Sequence, residues 1–219
     1  MRVLTKKETK CFVYNSLDFL IPLGFCNFAS MASKKVDALK LKQWHEDLTS
    51  SEQHIAMSAI HQIEESGNMH VFPLLIETLR KSPLIQVEQA ILKLIADIQS
   101  EEKVETLMQF IQDEKSPTLR LQLLTCVWNS KQDFSPFLAE IVSLSTEGDF
   151  MQALECLTIL ENMSGPFAEN QLLEAQLYLK EYVENLSKEN DQRKAQIISD
   201  IALFVKEQNE GIDADLLLD

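Results

Sequence analysis

Apolar residues recur at i, i+3, i+4 and i+7 in set after set along this chain, and that spacing puts each set on one face of an α-helix. The sets come in pairs. Leu41, Trp44, His45 and Leu48 are followed by Ala56, Ala59, Ile60 and Ile63, and Phe72, Leu75, Ile76 and Leu79 by Val87, Ala90, Ile91 and Leu94. Val104, Leu107, Met108 and Ile111 precede Leu121, Leu124 and Trp128; Phe134, Phe137, Leu138 and Ile141 precede Phe150, Ala153, Leu154 and Leu157. A longer last pair sets Leu172, Ala175, Leu179, Tyr182 and Leu186 before Ile198, Ile201, Ala202 and Val205. Successive first helices begin about 31 and 32 positions apart, at Leu41, Phe72 and Val104, and the joint prolines Pro83 and Pro117 lie about 34 apart. A period of this length signals stacked units, because one helix pair cannot bury its apolar face alone.

The joints agree with that reading. Lys81-Ser82-Pro83 and Lys115-Ser116-Pro117 place a proline where a helix starts, and its missing N–H costs nothing in a first turn. Ser116 and Asp149 are predicted to cap the free N–H groups of the helices that follow them. Gly 5 and Pro 6 are too few for the many tight turns of a β-sandwich or barrel.

The stretch Phe72-Pro73-Leu74-Leu75-Ile76-Glu77-Thr78-Leu79, followed by Pro83 to Ile98, resembles the HEAT-repeat family of armadillo-like α-solenoids, and the likeness covers roughly residues 36 to 164. HEAT units open their second helix with Asp-x-x-Val-Arg; here Val87 keeps the valine, Glu88 stands where the arginine would be, and Arg120 precedes Leu121. Other α-solenoids therefore remain open. The resemblance implies an all-α fold, a short right-handed α-solenoid of about five helix pairs over residues 31–209. Residues 166–205 are expected to form its C-terminal cap, with Glu174, Glu181, Glu184, Lys188 and Glu207 on the polar face and 210–219 as an acidic-hydrophobic tail. It further implies a monomeric protein-binding scaffold or regulatory adaptor without catalysis, cofactor or metal; the alternative is an enzyme or enzyme accessory of the HEAT-like lyase type. Second helices line the concave wall of such a stack, and helical phase puts Gln53, His54, Met57, His61, Gln86, Gln89, Lys93, Arg120 and Lys131 on it.

Residues that carry chemistry are sparse. The chain has no GxSxG, P-loop, GxGxxG or HExxH motif. Its four histidines, His45, His54, His61 and His70, cluster in the first repeat, but His54 and His61 stand about two turns apart, too far to share one ion. Trp44 and Trp128 both fall on apolar faces, so core packing is expected of them, with a partly exposed anchor for a partner as the alternative. Cys11, Cys26, Cys126 and Cys156 form no CxxC pair, and a reducing cytoplasm is the compartment expected. A net charge of -14 argues against nucleic acid, whose binding rests on lysine and arginine neutralising phosphates, and against anionic membranes.

Residues 1–30 follow a different pattern, with Lys6, Lys7 and Lys10 before an aromatic-rich run from Cys11 to Phe28. A non-native start upstream of Met31, a weak signal peptide and a disordered docking tail are the three readings. A membrane span is not among them, because Asp18, Pro22 and Gly24 interrupt the apolar run.

Overall fold

The recurrent apolar faces lie on helices, except that Phe134 and Phe137 belong to the turn before one of them and Leu186, like Lys188 of the expected polar face, lies outside the described residues. The computed structural model describes residues 38–66, 71–97, 101–185 and 191–216, and among them there are ten helices and no strand. These are α1 (Ala38–Leu48), α2 (Gln53–Ser66), α3 (Phe72–Arg80), α4 (Ile85–Ala96), α5 (Glu101–Asp113), α6 (Pro117–Asn129), α7 (Leu138–Glu147), α8 (Phe150–Glu161), α9 (Glu169–Glu184) and α10 (Gln192–Leu216). A 3-10 turn at Ser135–Phe137 leads into α7. The chain divides into two units, Met1–Ser33 and Lys34–Asp219; the first, with every expectation for residues 1–30, lies outside the described residues. No helix among the described residues is long and apolar enough to cross a membrane. The helix α10 runs past the boundary drawn from sequence at residue 209 and continues to Leu216.

Side chains at the joints do what their chemistry predicts. Ser116 Oγ accepts the Leu119 N–H at 3.4 Å, and Asp149 Oδ1 accepts the Gln152 N–H at 2.9 Å, each satisfying a donor that helix geometry leaves free. Between α3 and α4 the turn is made by Ser82, whose φ of 51° lies in the left-handed region. Gly148 is required by close approach: a Cβ there would meet Gln152 Cβ at 2.6 Å and the Leu144 carbonyl at 3.1 Å.

Packing follows a simple rule. Each odd-numbered helix lies against the even-numbered one after it, and the even-numbered helices lie side by side in the order α2, α4, α6, α8, α10. At the C-terminal end α7 also packs on α9. The shared core includes Trp44, Ile76, Ile91, Leu107, Leu124 and Leu160, each essentially solvent-free. Every such aliphatic contributes about 1.5–3 kcal/mol by leaving water.

Polar ties cross from one pair to the next, and the second and third pairs share three of them. Arg80 reaches Glu114, Gln122 Nε2 donates to Glu88 Oε1 at 2.6 Å, and the Cys126 thiol donates to the Leu92 carbonyl at 3.4 Å. All three span 34 residues. Thus Glu88 on α4 holds a glutamine of α6. Further along, Gln152 Nε2 donates to the Pro117 carbonyl, and Gln171 Oε1 accepts the Ala139 N–H in the first turn of α7.

Helical phase differs from expectation in the middle of the row. In α6 the buried side chains are Leu119, Leu123, Leu124, Cys126 and Val127, with Leu121 half-buried and Trp128 41% exposed. In α8 they are Gln152, Ala153, Cys156, Ile159 and Leu160 rather than the Phe150, Ala153, Leu154, Leu157 stripe. The reason is geometric: α6 is covered by α4, α5 and α8, and α8 by α6, α7 and α10. Helices buried on three sides need apolar residues nearly all round, so no single stripe marks the inward face.

Candidate interaction face

The row of even-numbered helices presents one continuous side to solvent. Ala59, Ile91, Leu123 and Cys156 are its matched core positions, each no more than 1% exposed and spaced 32 or 33 residues apart. With that register, the residues facing outward fall into ranks. His54, Gln86, Thr118 and Met151 form one exposed rank across α2, α4, α6 and α8. Met57 and Gln89 continue into the half-buried Leu121 and Leu154, and His61 and Lys93 into the half-buried Thr125 and Thr158. A fourth exposed rank runs Glu65, Asp97, Asn129, Asn162.

Seven of the nine residues assigned to the wall from sequence lie on this side and are exposed: Gln53, His54, Met57, His61, Gln86, Gln89 and Lys93. Lys131 is exposed in the loop just after α6. Arg120 is different. It is half-buried, and its guanidinium donates to the Glu114 carbonyl through Nε at 3.1 Å and Nη2 at 2.6 Å, so it braces the α5–α6 joint.

Two grooves open between the C-terminal ends of neighbouring even-numbered helices. One of about 450 Å³ lies between α6 and α8, walled by Trp128, Phe134, Asn162 and Met163, with Lys131 and Asp133 on its lip. The other, of about 390 Å³, lies between α4 and α6 and includes Lys93, Asp97, Gln122 and Asn129. Their walls share a local device. In α6 the Thr125 hydroxyl donates to the Leu121 carbonyl and Asn129 Nδ2 to the Thr125 carbonyl; in α8 Thr158 and Asn162 repeat this with Leu154 and Thr158. The Thr-x-x-x-Asn spacing, recurring 33 residues apart, is the trace these grooves leave in the sequence, and the sequence reading missed it.

Trp128 was placed in the core from its apolar neighbours and is instead part of this surface, its Nε1–H donating to Glu155 Oε2 at 2.7 Å. Trp44 is buried as expected. The histidines sit among carboxylates: His54 Nδ1 lies 3.5 Å from Glu52, and His61 lies 3.7 Å from Glu64 and 3.5 Å from Glu65. His70 falls outside the described residues. No group of three or more metal-ligating side chains converges among the described residues.

Carboxylates also gather around Tyr178. The Tyr178 hydroxyl, on α9, has its pKa raised first by burial and then by its hydrogen bond to Glu174 and the charges of Glu174, Glu140 and Glu147. Among thiols, burial pushes Cys126 up to about 12 and drives Cys156 higher, so both are inert as nucleophiles at neutral pH. Comparison with protein-family models, with curated proteins and with solved structures finds no match.

Proposed function

We propose that this chain is a HEAT-like α-solenoid whose even-numbered helices form a wall for a segment of another protein, making it a non-catalytic scaffold or regulatory adaptor. The observation that carries the reading is the unbroken order α2, α4, α6, α8, α10, tied between successive pairs at separations of 32 to 35 residues and facing solvent in ranks of polar and apolar side chains. A surface of this kind is long, shallow and chemically mixed, which suits an extended or helical segment better than a compact metabolite. Its two grooves lie end to end along it and add depth where a side chain would anchor.

The test is capture of the native partner by the full chain and by substituted forms. Gln89→Arg with Lys93→Glu alters two exposed wall positions without touching the core. Capture is expected to fall at least tenfold, whereas Glu105→Lys on the exposed side of α5 leaves it unchanged. The reverse pattern, loss with Glu105→Lys and retention with the wall pair, would defeat the assignment.

A further inference from the structure

We propose that the notch beside Trp128 receives a lysine or arginine side chain, so that the segment bound along this wall is a basic one; the proposal rests on the wall reading above. Trp128 is 41% exposed, against 1% for Trp44, and its indole N–H is held by Glu155 at 2.7 Å. That bond fixes the ring plane and sets a carboxylate at its edge. The ring face then offers its quadrupole to a cation, and the neighbouring carboxylate adds to the attraction. The adjoining groove of about 450 Å³ leaves room for an extended chain to deliver that cation.

Charge on a larger scale points the same way. Residues 101–185 hold five basic side chains, Lys103, Lys115, Arg120, Lys131 and Lys180, against fifteen acidic ones. Arg120 is already engaged with the Glu114 carbonyl, and Lys131 and Asp133 both line the groove. Exposed Glu161 stands one repeat along from Trp128 at the end of α8. A field of this sign steers a basic segment toward the wall and repels an acidic one.

Elsewhere the fold supplies its own cations to aromatic faces. Lys40 Nζ lies 4.8 Å from the Trp44 ring centroid, the Arg193 guanidinium 4.7 Å from that of Phe150, and Lys194 Nζ 5.3 Å from that of Tyr182. Among the described residues no side-chain cation stacks on Trp128 in this way. The exposed tryptophan, pinned to a glutamate in a strongly acidic stretch, is therefore the aromatic face left for a cation from outside.

The experiment uses the full chain, labelled with nitrogen-15, titrated at low salt with a blocked hexa-arginine peptide and with hexa-glutamate as counterpart. The Trp128 indole N–H signal should shift on adding hexa-arginine while that of Trp44 stays in place. Trp128→Ala should weaken binding about three- to tenfold, with Trp128→Phe intermediate, because an exposed cation over an aromatic ring is worth a modest factor of this size. Removing two charges on α5, with Glu102→Gln and Glu105→Gln, should change binding less than about twofold, as expected of screened distant charges. Equal binding by Trp128→Ala and the parent, a motionless Trp128 signal, or binding of hexa-glutamate at this notch each overturns the proposal. If hexa-arginine fails while the Gln89 and Lys93 substitutions still abolish partner capture, the basic notch falls and the wall stands; if both fail, both readings fall.

Discussion

Glu114 is the polar residue on which most of the joint between the second and third helix pairs depends. Its carboxylate is 4% exposed and accepts three hydrogen bonds, from Arg80 Nε and from the backbone N–H groups of Lys115 and Ser116 at 2.9 Å each, with Arg80 Nη2 completing the ion pair at 2.9 Å. Glu114→Ala removes all three and the ion pair. Breaking a buried ion pair costs about 3–5 kcal/mol when the surviving charge is trapped. Arg80 is 46% exposed, so water takes back its guanidinium and the cost falls to the lower end of that range. Two backbone donors also lose their acceptor, which sustains a total of about 3 kcal/mol. For a domain of this size each kcal/mol moves Tm by about 2–4 °C, so Glu114→Ala should melt about 6–12 °C below the parent. Lys42→Ala is the control. Its pair with Glu46 spans 3.9 Å between side chains 76% and 59% exposed, and its loss should be within about 1–2 °C. A double-mutant cycle with Arg80→Ala should return a clear coupling between the two sites. Parent-like melting of Glu114→Ala, or additive effects of the two substitutions, would refute this account of the joint.

Ending the chain after Gly165 removes α9 and α10, which cover α7 and α8 and bury Leu172, Leu179, Ile198, Ile201 and Val205. With several aliphatics each worth about 1.5–3 kcal/mol, the shortened chain should aggregate or lose more than about 10 °C in a melting scan, and a monomer melting like the parent would show that this pair is dispensable. The buried thiols predict resistance to alkylation. Iodoacetamide at pH 8 followed by peptide mapping should modify Cys126 and Cys156 only after urea is added, since Cys126 is pushed up to about 12 and Cys156 is buried throughout. Labelling of Cys156 in native buffer would contradict its placement.

The sequence read well where a helix has one wet side. Trp44 and Leu48 in α1, Leu75 and Ile76 in α3, and Leu107, Met108 and Ile111 in α5 are buried as their spacing predicts, because those outer helices touch the rest along one stripe. It also disclosed the Ser116 and Asp149 caps, whose chemistry acts within four residues of chain. What stayed hidden depends on neighbours distant in sequence. Trp128 sits among apolar residues in the chain, yet the covering of α6 by α4, α5 and α8 turns its ring to the surface. Arg120 looked like a wall residue because helical phase cannot reveal a carbonyl, that of Glu114, waiting in the preceding loop. Lys194 is a third case: its charge argues for solvent, but it is 7% exposed, with Nζ donating to the Thr146 carbonyl at 2.9 Å and fastening α10 to the end of α7.

The central claim is that a protein partner lies along the even-numbered helices, and a photo-crosslinking amino acid placed at single sites tests it most directly. Gln89 on α4 and Gln112 on α5 are both exposed, the first on an even-numbered helix and the second on an odd-numbered one. With the probe at Gln89, illumination of the native complex should yield a covalent adduct with the partner. With the probe at Gln112 it should yield none. An adduct formed from Gln112 and absent from Gln89 would contradict the account.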